Sequence, residues 1–542
     1  MTNRTRTDAL LLAGFCAFLF LYGLGQFGLI GADEPRYAQV AREMLQRHDW
    51  ITPVLYGQPW LEKPPLYYWQ AMIAYSIFGV SDWAARLPSA VDATLLVLAI
   101  YVFLRRFRPG FELDGALIAA SSAGMIGYSR AASMDMALTA TFTVGMLGWW
   151  AWRESGGKLY LFVLYGSAGL GMLAKGPVAP FLAGLVIVLY SVAAGEFRLI
   201  FKSLWFPGIV LFCAISLPWY FAVQIRNPNF FHAFIIEHNL DRFSTNLYHH
   251  PEPLWYYLPV TALALIPWTV FVVAALVETL RLWWAGRKSN SAGQSGLENQ
   301  FGMFACCWLI VPVVFFSISQ SKLPGYILPA IPAGGLLLAE YLRQRLIRSE
   351  PESAPKGLVA LHALLASAPI VPALLIVYLL AEHRLPGGRP MLGALAIAFV
   401  LCAGIAVTLV RASGLRMLRF ITLIPVLLAV GVVLKVGSSA IDQTLSARPL
   451  AREIAGIQTQ PLPLAVYRVH RELEYGLSFY RNQLTLNYDW GTVPRQEHLL
   501  VAPENSQVEI AGLVQGRRVS YLGHYAAQHV DYFWIAAAGS AH

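Results

Sequence analysis

Charged side chains that could take part in acid–base or phosphate chemistry are concentrated in residues 31–69. Asp33 and Arg36 follow the first apolar run of the chain, and Glu62 and Lys63 precede the next one. Only 13% of the residues are charged, and carboxylates without partners are costly at the edge of a membrane. The stretch therefore predicts a functional loop at a membrane surface.

Asp33 has a simpler alternative role at the start of a helix. Aspartate is common at N-caps, and acidic residues in the first turn interact favourably with the helix dipole, so Asp33 and Glu34 could merely begin a helix. Capping does not account for Lys63, which the following Pro64 and Pro65 hold in an extended conformation. Replacing Asp33 by Asn separates the two roles, because the amide keeps the cap and removes the charge.

A second candidate carboxylate, Asp135, lies in YSRAASMDM at the predicted start of a membrane span. Arg130 could form an ion pair with it, or Asp135 could itself be an N-cap. Lys175, in AKGP, lies at another span boundary and could bind an anion or simply extend its ammonium group to the interface. Asp135 is thus a candidate catalytic group, and Arg130 and Lys175 are candidate phosphate ligands.

Two later loops also carry polar groups. EHNLDRF contains Glu237, His238 and Arg242, and SKLPGYILP contains Tyr326. Glu237 or Glu62 together with His238 could bind a divalent cation, zinc or magnesium, although the sequence favours the simpler interpretation of a hydrogen-bonded loop histidine. Arg242 and Tyr326 are further candidates for substrate binding.

The composition places these loops in a polytopic α-helical membrane protein. The 542 residues are 57% hydrophobic and have a mean hydropathy of +0.52, which is too apolar for a soluble protein of this length. The net charge of +9 does not indicate nucleic-acid binding, because the basic residues lie in short loops between apolar runs. The five cysteines include no CxxC pair, so neither a disulfide framework nor a thiolate metal site is predicted.

Apolar runs long enough to cross a bilayer predict about 13 transmembrane helices. They lie near 9–30, 83–104, 113–129, 133–152, 159–174, 177–194, 203–224, 255–283, 301–318, 326–342, 357–381, 390–410 and 417–437. Because basic residues recur in alternate loops, the positive-inside rule places the N-terminus in the cytoplasm and the 31–82 and 225–254 loops outside. Within the first outer loop, 31–82, amphipathic spacing predicts an interfacial helix near 37–45. A second helix is predicted at 66–78, after the two prolines, and is also expected to be interfacial because about 13 residues are too few to span a bilayer.

The composition changes after the last predicted span. We interpret residues 1–440 as a transmembrane catalytic domain and 441–542 as a small soluble α/β domain outside the membrane. Strands are predicted at 464–467, 499–502 and 530–538, and a helix at 472–482.

This topology places every segment rich in polar chemistry on the outer face. We therefore predict that Asp33, Lys63 and Asp135 meet in one cavity at the external membrane surface. Cations at that level suit a phosphate whose tail stays in the lipid. Aromatic residues such as Tyr37 could pack on a sugar or on an isoprenyl chain, or could belong to the interfacial aromatic belt.

Six segments in this order resemble the lipid-linked-sugar glycosyltransferases of the protein O-mannosyltransferase and aminoarabinose transferase group. The segments are ADEPRYAQVAREM, LEKPPLYYW, the Asp135 turn, AKGP, EHNLDRF and SKLPGYILP. The sequence is most similar to the bacterial 4-amino-4-deoxy-L-arabinose lipid A transferases. The C-terminal domain carries no motif of this resemblance.

The resemblance implies a GT-C fold and transfer of a sugar from undecaprenyl phosphate to lipid A, on the periplasmic side of the bacterial inner membrane. It implies that Asp33 and Asp135 are catalytic carboxylates and that Lys63 and Arg36 hold the phosphate. It further implies that Tyr326 supports Lys63, and that a divalent cation, if one binds, is held by two residues, Glu62 and His238.

The acceptor and even the class of function remain open at this level. A lipid A phosphate needs no strong base, so Asp33 would orient groups or stabilise the sugar, whereas for a protein or polysaccharide hydroxyl Asp33 would be the general base. A single displacement predicts inversion at the anomeric carbon. A transporter of lipid-linked sugars is the non-enzymatic alternative, but transporters place ionisable groups near the midplane within inverted repeats, and no repeat is seen.

Overall fold

The structure is a computed structural model that describes residues 3–234, 236, 252–288, 300–347, 361, 362, 366, 418–457, 462–491 and 493–539. The chain divides into two compact units. The first, here the membrane unit, comprises Met1–Tyr22, Leu61–Tyr67 and Arg86–Val433. The second, here the loop–tail unit, comprises Gly23–Trp60, Tyr68–Ala85 and Leu434–His542. The second unit thus joins most of the first loop to the C-terminal domain.

The membrane unit is helical, as expected where lipid offers no partners for backbone N–H and C=O groups. Its helices are α1 (Asn3–Cys16), α4 (Asp82–Phe107, which begins in the loop–tail unit), α5 (Glu112–Ala120), α6 (Ala123–Ser129), α7 (Asp135–Ser155), α8 (Leu159–Lys175), α9 (Val178–Ala193), α10 (Arg198–Ser203), α11 (Phe206–Arg226), α12 (Tyr257–Ala264), α13 (Thr269–Lys288), α14 (Gln300–Ile318), α15 (Ile331–Ile347) and α16 (Leu418–Val432). Short π-helical or 3₁₀ turns extend three of them, at Ala17–Leu21, Pro324–Ala330 and Val433–Gly437.

Five helices of the described part are long and apolar enough to cross a membrane, or six if one bent pair forms a single span. The five are Asp82–Phe107, Phe206–Arg226, Thr269–Gly286, Gln300–Ile318 and Pro324–Arg345. Two shorter apolar helices are α8 and α9. The predicted spans 357–381 and 390–410 lie almost entirely outside the described residues, so the number 13 stays a prediction.

Two predicted spans are each broken into a pair of helices. The run 113–129 forms α5 and α6, and at the break the side chains of Ser121 and Ser122 bond backward to the carbonyls of Leu117 (2.6 Å) and Ile118 (3.1 Å). Such bonds compete with the helical ladder. The run 255–283 forms α12 and α13, which are separated by a turn around Pro267, a residue without an N–H group.

Helices α7 and α8 form an antiparallel hairpin that positions the site. Gly156, with φ of +72°, ends α7 in the left-handed conformation that glycine adopts without strain. The two helices approach closely at Gly148, where a Cβ atom would lie 3.0 Å from the carbonyl oxygen of Tyr160. Because the helices run in opposite directions, the first residue of α7, Asp135, and the last residue of α8, Lys175, lie at the same end.

The loop–tail unit contains a three-layer α/β domain. Its sheet has the order β4-β3-β5-β7-β6, with β3, β4 and β5 parallel and β6 and β7 antiparallel to their neighbours. The strands are β3 (Leu464–Val466), β4 (Leu486–Asn487), β5 (His498–Pro503), β6 (Val519–Tyr525) and β7 (Val530–Ile535). The helices are α17 (Ser438–Leu445), α18 (Arg448–Ile457), α19 (Arg471–Arg481) and α20 (Gln507–Leu513).

Both faces of this sheet are covered, because alternate strand residues point to opposite sides. Leu464, Val466 and Val501 pack with α18 and α19 on one face, whereas Ala465, Leu500 and Phe533 pack with α20 on the other. Three predicted strands and the predicted helix at 472–482 are therefore confirmed. The short strand β4 and the half-exposed strand β6 were not predicted.

The first loop supplies the remaining elements of the loop–tail unit. They are α2 (Asp33–Gln46), the hairpin strands β1 (Val54–Leu55) and β2 (Gln58–Pro59), and most of α3 (Leu66–Phe78). Helix α2 packs on α19 of the C-terminal domain. The predicted helices of the loop are confirmed, but polar residues of α2 are not all left to water, since Gln39 and Arg42 are buried.

Arg448 fastens the base of the loop to the C-terminal domain. Its guanidinium group donates to Asp82 (2.8 Å), to Asp442 (2.8 Å) and to the carbonyl oxygens of Gly25 (3.1 Å) and Gln26 (2.9 Å). Burial alone would lower the pKa of Arg448, but the bonds to Asp442 and the charge of Asp82 raise it. The arginine therefore stays charged between two carboxylates.

Candidate active site

Asp135 and Lys175 form an ion pair at the end of the α7–α8 hairpin. The Lys175 ammonium group donates a hydrogen bond to the Asp135 carboxylate, and the two side chains are only 15% and 18% exposed. Two groups that sequence analysis considered separately, with alternative structural roles, are thus direct partners. A carboxylate beside an ammonium group can orient a polar substrate, and the ammonium group can bind a phosphate once a ligand competes for it.

Tyr326 lies against the same pair. Its ring centroid is 4.7 Å from the Lys175 ammonium nitrogen, within the range of a cation–π interaction. The preceding residue, Gly325, closely approaches Asp135 and Tyr128, as a Cβ atom there would lie 3.0 Å from the Asp135 carboxyl carbon and 2.8 Å from the Tyr128 hydroxyl. Tyr128, Asp135, Lys175 and Tyr326 therefore form one cluster.

Arg130 contacts the first helix, and its predicted role as a phosphate ligand stays a prediction. Its guanidinium group donates to the carbonyl oxygens of Leu19 (2.9 Å) and Tyr22 (2.8 Å), at the end of the first helix. Arg130 therefore does not form the alternative ion pair with Asp135, which pairs with Lys175 instead. Asp135 is also not an N-cap, because that position is occupied by Met134 and Asp135 is the first helical residue.

Lys63 and Glu62 lie in the short stretch of the first loop that belongs to the membrane unit. Both are half-buried and precede the buried Pro64 and Pro65. Leu66, three residues after Lys63, packs against a cluster that contains residues next to the ion pair, Ala137, Leu138 and Ala174. Three extended residues span at most about 11 Å, so the Cα atom of Lys63 lies no farther than that from the Cα atom of Leu66.

Asp33 and Arg36 form the second ion pair of the predicted site, in the loop–tail unit. Ala32 occupies the N-cap of α2, so Asp33 is the first helical residue and the capping role is excluded. The Arg36 guanidinium group donates to the Asp33 carboxylate. Asp33 is 51% exposed, whereas Arg36 is 15% exposed and lies beneath aromatic rings, one of them that of Tyr37.

The remaining predicted residues, Arg242, His238 and Glu237, lie outside the described residues. In the part of the chain that the structure describes, no group of three or more His, Cys, Asp or Glu side chains is arranged to hold a metal ion. The metal pair of Glu62 and His238 therefore stays a prediction, as does a single cavity shared by Asp33, Lys63 and Asp135.

Sequence reasoning missed Tyr128 and Gly325 as members of the site. Both lie in segments that carry other candidate residues, but nothing in YSRAASMDM or SKLPGYILP indicates that these segments touch. Lys322 of SKLPGYILP has a structural role, because its buried ammonium group donates to the carbonyl oxygens of Ser319 (2.6 Å) and Glu252 (2.9 Å).

The C-terminal domain also contains a cavity of about 360 Å³ that includes none of the predicted site residues. Its walls come from the end of α17, the segment between β3 and α19, and the turn before β7. None of the residues that form the ion pairs described above lines this cavity.

Comparison with known proteins identifies the family. A model of the dolichyl-phosphate-mannose-protein mannosyltransferase family matches residues 8–234. The undecaprenyl phosphate-alpha-4-amino-4-deoxy-L-arabinose arabinosyl transferase of Aeromonas hydrophila is 30% identical over 448 residues, which cover 80% of this chain and 78% of that protein. This chain belongs to that arabinosyl transferase family. The transferase of the same name from Pseudomonas aeruginosa is 32% identical over 352 residues, which span 61% of its length.

Solved structures give the fold. ArnT from Cupriavidus metallidurans, crystallised bound to undecaprenyl phosphate, superposes with a TM-score of 0.76 and 22% identity over 97% of each chain. Its apo structure gives a TM-score of 0.72 over 98% of each chain. The predicted fold class, a polytopic α-helical GT-C protein with a small C-terminal α/β domain, is confirmed.

Proposed function

We propose that this protein is a membrane glycosyltransferase that moves 4-amino-4-deoxy-L-arabinose from undecaprenyl phosphate to a phosphate of lipid A, with inversion. The observation that carries the proposal is the Asp135–Lys175–Tyr326 cluster in a chain of the arabinosyl transferase family. The relatives are named for this donor, and the Cupriavidus protein was crystallised with its lipid carrier. Lipid A as acceptor follows from the resemblance.

The proposed chemistry uses cations to stabilise the leaving group. As the bond between the sugar and undecaprenyl phosphate breaks, negative charge grows on the phosphate, and Lys63 and Arg36 neutralise it. Removing one such donor costs about 3–4 kcal/mol of transition-state stabilisation. A lipid A phosphate is already ionised and attacks the anomeric carbon directly, so Asp33 and Asp135 orient groups and stabilise the positive charge that develops on the sugar.

The decisive experiment is mass spectrometry of lipid A from cells with and without the protein. We expect a mass increase of one aminoarabinose residue that depends on the chain and disappears in Lys63→Ala. NMR of the product should show the opposite anomeric configuration to that of the donor. Unchanged lipid A from cells with intact protein in the membrane would contradict the acceptor.

A hydroxyl acceptor is the second candidate, since the match over residues 8–234 is to a family of protein mannosyltransferases. In that case the sugar would appear on a protein or polysaccharide and Asp33 would act as general base. The same cells supply the test, because glycan analysis of envelope proteins and polysaccharides can be run beside that of lipid A.

The proposed location is the bacterial inner membrane, with the N-terminus in the cytoplasm and both the active site and the C-terminal domain in the periplasm. The alternation of basic loops supports this orientation. Cysteine labelling from each side of the membrane tests it: a cysteine at exposed Val508 should react with an impermeant reagent added to the periplasm, and labelling only after permeabilisation of the inner membrane would contradict it.

A divalent cation, zinc or magnesium, is proposed to bind Glu62 and His238. The support is the half-buried carboxylate of Glu62 beside Lys63. Metal analysis of the purified protein should show one equivalent that Glu62→Gln removes, and a metal content unaffected by that substitution would contradict the assignment.

A further inference from the structure

Three aromatic rings surround the guanidinium group of Arg36. Its central carbon lies 5.0 Å from the ring centroid of Trp60, 5.3 Å from that of Tyr37 and 5.6 Å from that of Tyr475. Tyr37 and Trp60 belong to the first loop, but Tyr475 belongs to α19, in the C-terminal domain. A residue of the predicted phosphate site is therefore contacted by a domain for which the sequence indicated no role.

These contacts restrict the orientation of Arg36. Aromatic rings attract a cation whose centre lies within about 6 Å of the centroid, and an arginine that stacks on rings keeps its N–H donors in the plane of the guanidinium group, free for carboxylate or phosphate. In the structure, one such donor binds the Asp33 carboxylate. Because Arg36 is only 15% exposed, the rings also exclude water from it.

Tyr475 is itself held in place by the packing of α19 on α2. Arg42 on α2 donates to the carbonyl oxygen of Phe479 (2.8 Å) and to the side chain of Asn482 (3.1 Å), and its guanidinium carbon lies 4.2 Å from the Phe479 ring centroid. Arg36 meets Tyr475 and Arg42 meets Phe479, so the two helices run in the same direction along the contact. Phe479 and Tyr475, four residues apart, share the face of α19 that α2 covers.

The loop that carries Asp33 and Arg36 is fixed to α19 at a further point. The Tyr480 hydroxyl accepts a hydrogen bond from the backbone N–H of Leu29 (2.6 Å) and donates to Asp82 (2.6 Å). Burial raises the pKa of Tyr480, which keeps the hydroxyl protonated for that donation. Helix α19 thus contacts the loop before α2 as well as α2 itself.

From these contacts we infer that Tyr475 is a positioning residue for the donor phosphate, acting through Arg36, and that the C-terminal domain is in this way part of the donor site. The inference rests on the proposed function, in which Arg36 binds the phosphate of the lipid-linked sugar. Tyr475 does not itself contact the substrate in this scheme. Its ring selects the orientation in which Arg36 can exchange Asp33 for a phosphate.

The test measures the dissociation constant of undecaprenyl phosphate for the purified full-length protein, so that it does not depend on turnover. Tyr475→Leu removes the ring, and we expect affinity to fall by about 3- to 30-fold, the range of a partly desolvated cation–π contact. Tyr475→Phe keeps the ring and should bind within about twofold of wild type on the same scale. Tyr521→Leu, at a half-exposed tyrosine on β6, is the matched control and should bind as wild type does.

A double-mutant cycle separates positioning from a general effect on the fold. In an Arg36→Met background, adding Tyr475→Leu should change affinity by less than about twofold, because the contact through which the ring acts is gone. An equal loss in both backgrounds, or wild-type affinity of Tyr475→Leu, would overturn the inference. Failure of the wild-type protein to bind undecaprenyl phosphate would contradict the proposed donor itself. Binding by wild type that Tyr475→Leu does not weaken would contradict only the positioning role of Tyr475.

Discussion

Gly325 lies so close to Asp135 that a methyl group on its Cα atom would come within 3.0 Å of the Asp135 carboxyl carbon. The same methyl group would lie 2.8 Å from the Tyr128 hydroxyl oxygen. Both distances are shorter than ordinary van der Waals contact, so neither side chain could stay in place. Glycine is required here because any side chain would occupy the space next to the Asp135 carboxylate.

Gly325→Ala should therefore lower turnover by at least about tenfold while the protein still folds, since overpacking of this kind costs about 1–3 kcal/mol. Steady-state transfer assays on purified protein measure the effect. Gly184→Ala is the matched control, because no atom lies within 4 Å of a Cβ atom there. Equal activities of the two variants would show that the close approach has no catalytic role.

Lys175→Met removes the cation that orients Asp135 and should reduce kcat by about 100-fold, the scale of losing one charged donor at a reacting site. Lys175→Arg keeps the charge and should retain more activity than Lys175→Met. Lys435→Met, at an exposed lysine of the π-helical turn Val433–Gly437, serves as the control. An unchanged kcat in Lys175→Met would show that Lys175 has no catalytic role and only extends its ammonium group to the membrane interface.

Asp33→Asn should abolish most activity and leave stability almost unchanged. Ala32 holds the N-cap, so the substitution loses only an exposed ion pair with Arg36 and a first-turn charge, each worth less than about 1 kcal/mol. Asp114→Asn makes the same change in the first turn of α5 and should preserve transfer. Full activity of Asp33→Asn would refute a catalytic role for this carboxylate.

Arg448→Met should release the base of the loop from the C-terminal domain. The substitution leaves the carboxylates of Asp82 and Asp442 without their cation, and breaking a buried pair costs about 3–5 kcal/mol. Hydrogen exchange of the Gly28 amide, which donates to Asp442 at 2.7 Å, reports the local opening free energy. As a control, Arg468→Met removes an exposed ion pair with Glu509 and should cost less than about 1 kcal/mol. A similar loss of opening free energy in both variants would show that the Arg448 ion pairs do not hold the loop to the C-terminal domain.

His498 should make the C-terminal sheet sensitive to acid. Burial lowers the pKa of His498 below its ordinary value of 6.5, so below that pH the unfolded state binds a proton that the folded state does not. Stability is then complete above about pH 6.5 and falls as the pH drops, by at most about 1.4 kcal/mol per pH unit. Hydrogen exchange of β5 amides, corrected for intrinsic rates, measures this slope.

His498→Gln should flatten that slope, since glutamine does not titrate and can still bond to Tyr488, which lies 2.5 Å from the His498 ring nitrogen. His470→Gln, at an exposed histidine, should keep the wild-type slope. A slope that persists unchanged in His498→Gln would place the acid sensitivity elsewhere.

Local patterns predicted the two helices of the first loop well, but not the short hairpin β1–β2 between them. Helix α3 begins after Pro64-Pro65 and ends at Phe78, as predicted from the prolines that precede it. The partners of the charged residues could not be predicted in this way. Lys175 meets Asp135 because a helical hairpin brings their ends together, and Arg36 meets Tyr475 because α19 packs on α2. Neither contact can be predicted from the spacing of these residues along the sequence.

The loop–tail unit joins two stretches around the first loop to a C-terminal stretch that begins about 350 residues later. At translation rates of about 5–20 residues per second, roughly 20–70 s pass between synthesis of α3 and synthesis of α17. During that interval α2 has no α19 to pack against, and its apolar face needs another cover, such as lipid or a chaperone. A nascent chain that stops before Leu434 would therefore carry Asp33 and Arg36 on a loop without its packing partner, and α2 reaches its final contacts only after α19 has been synthesised.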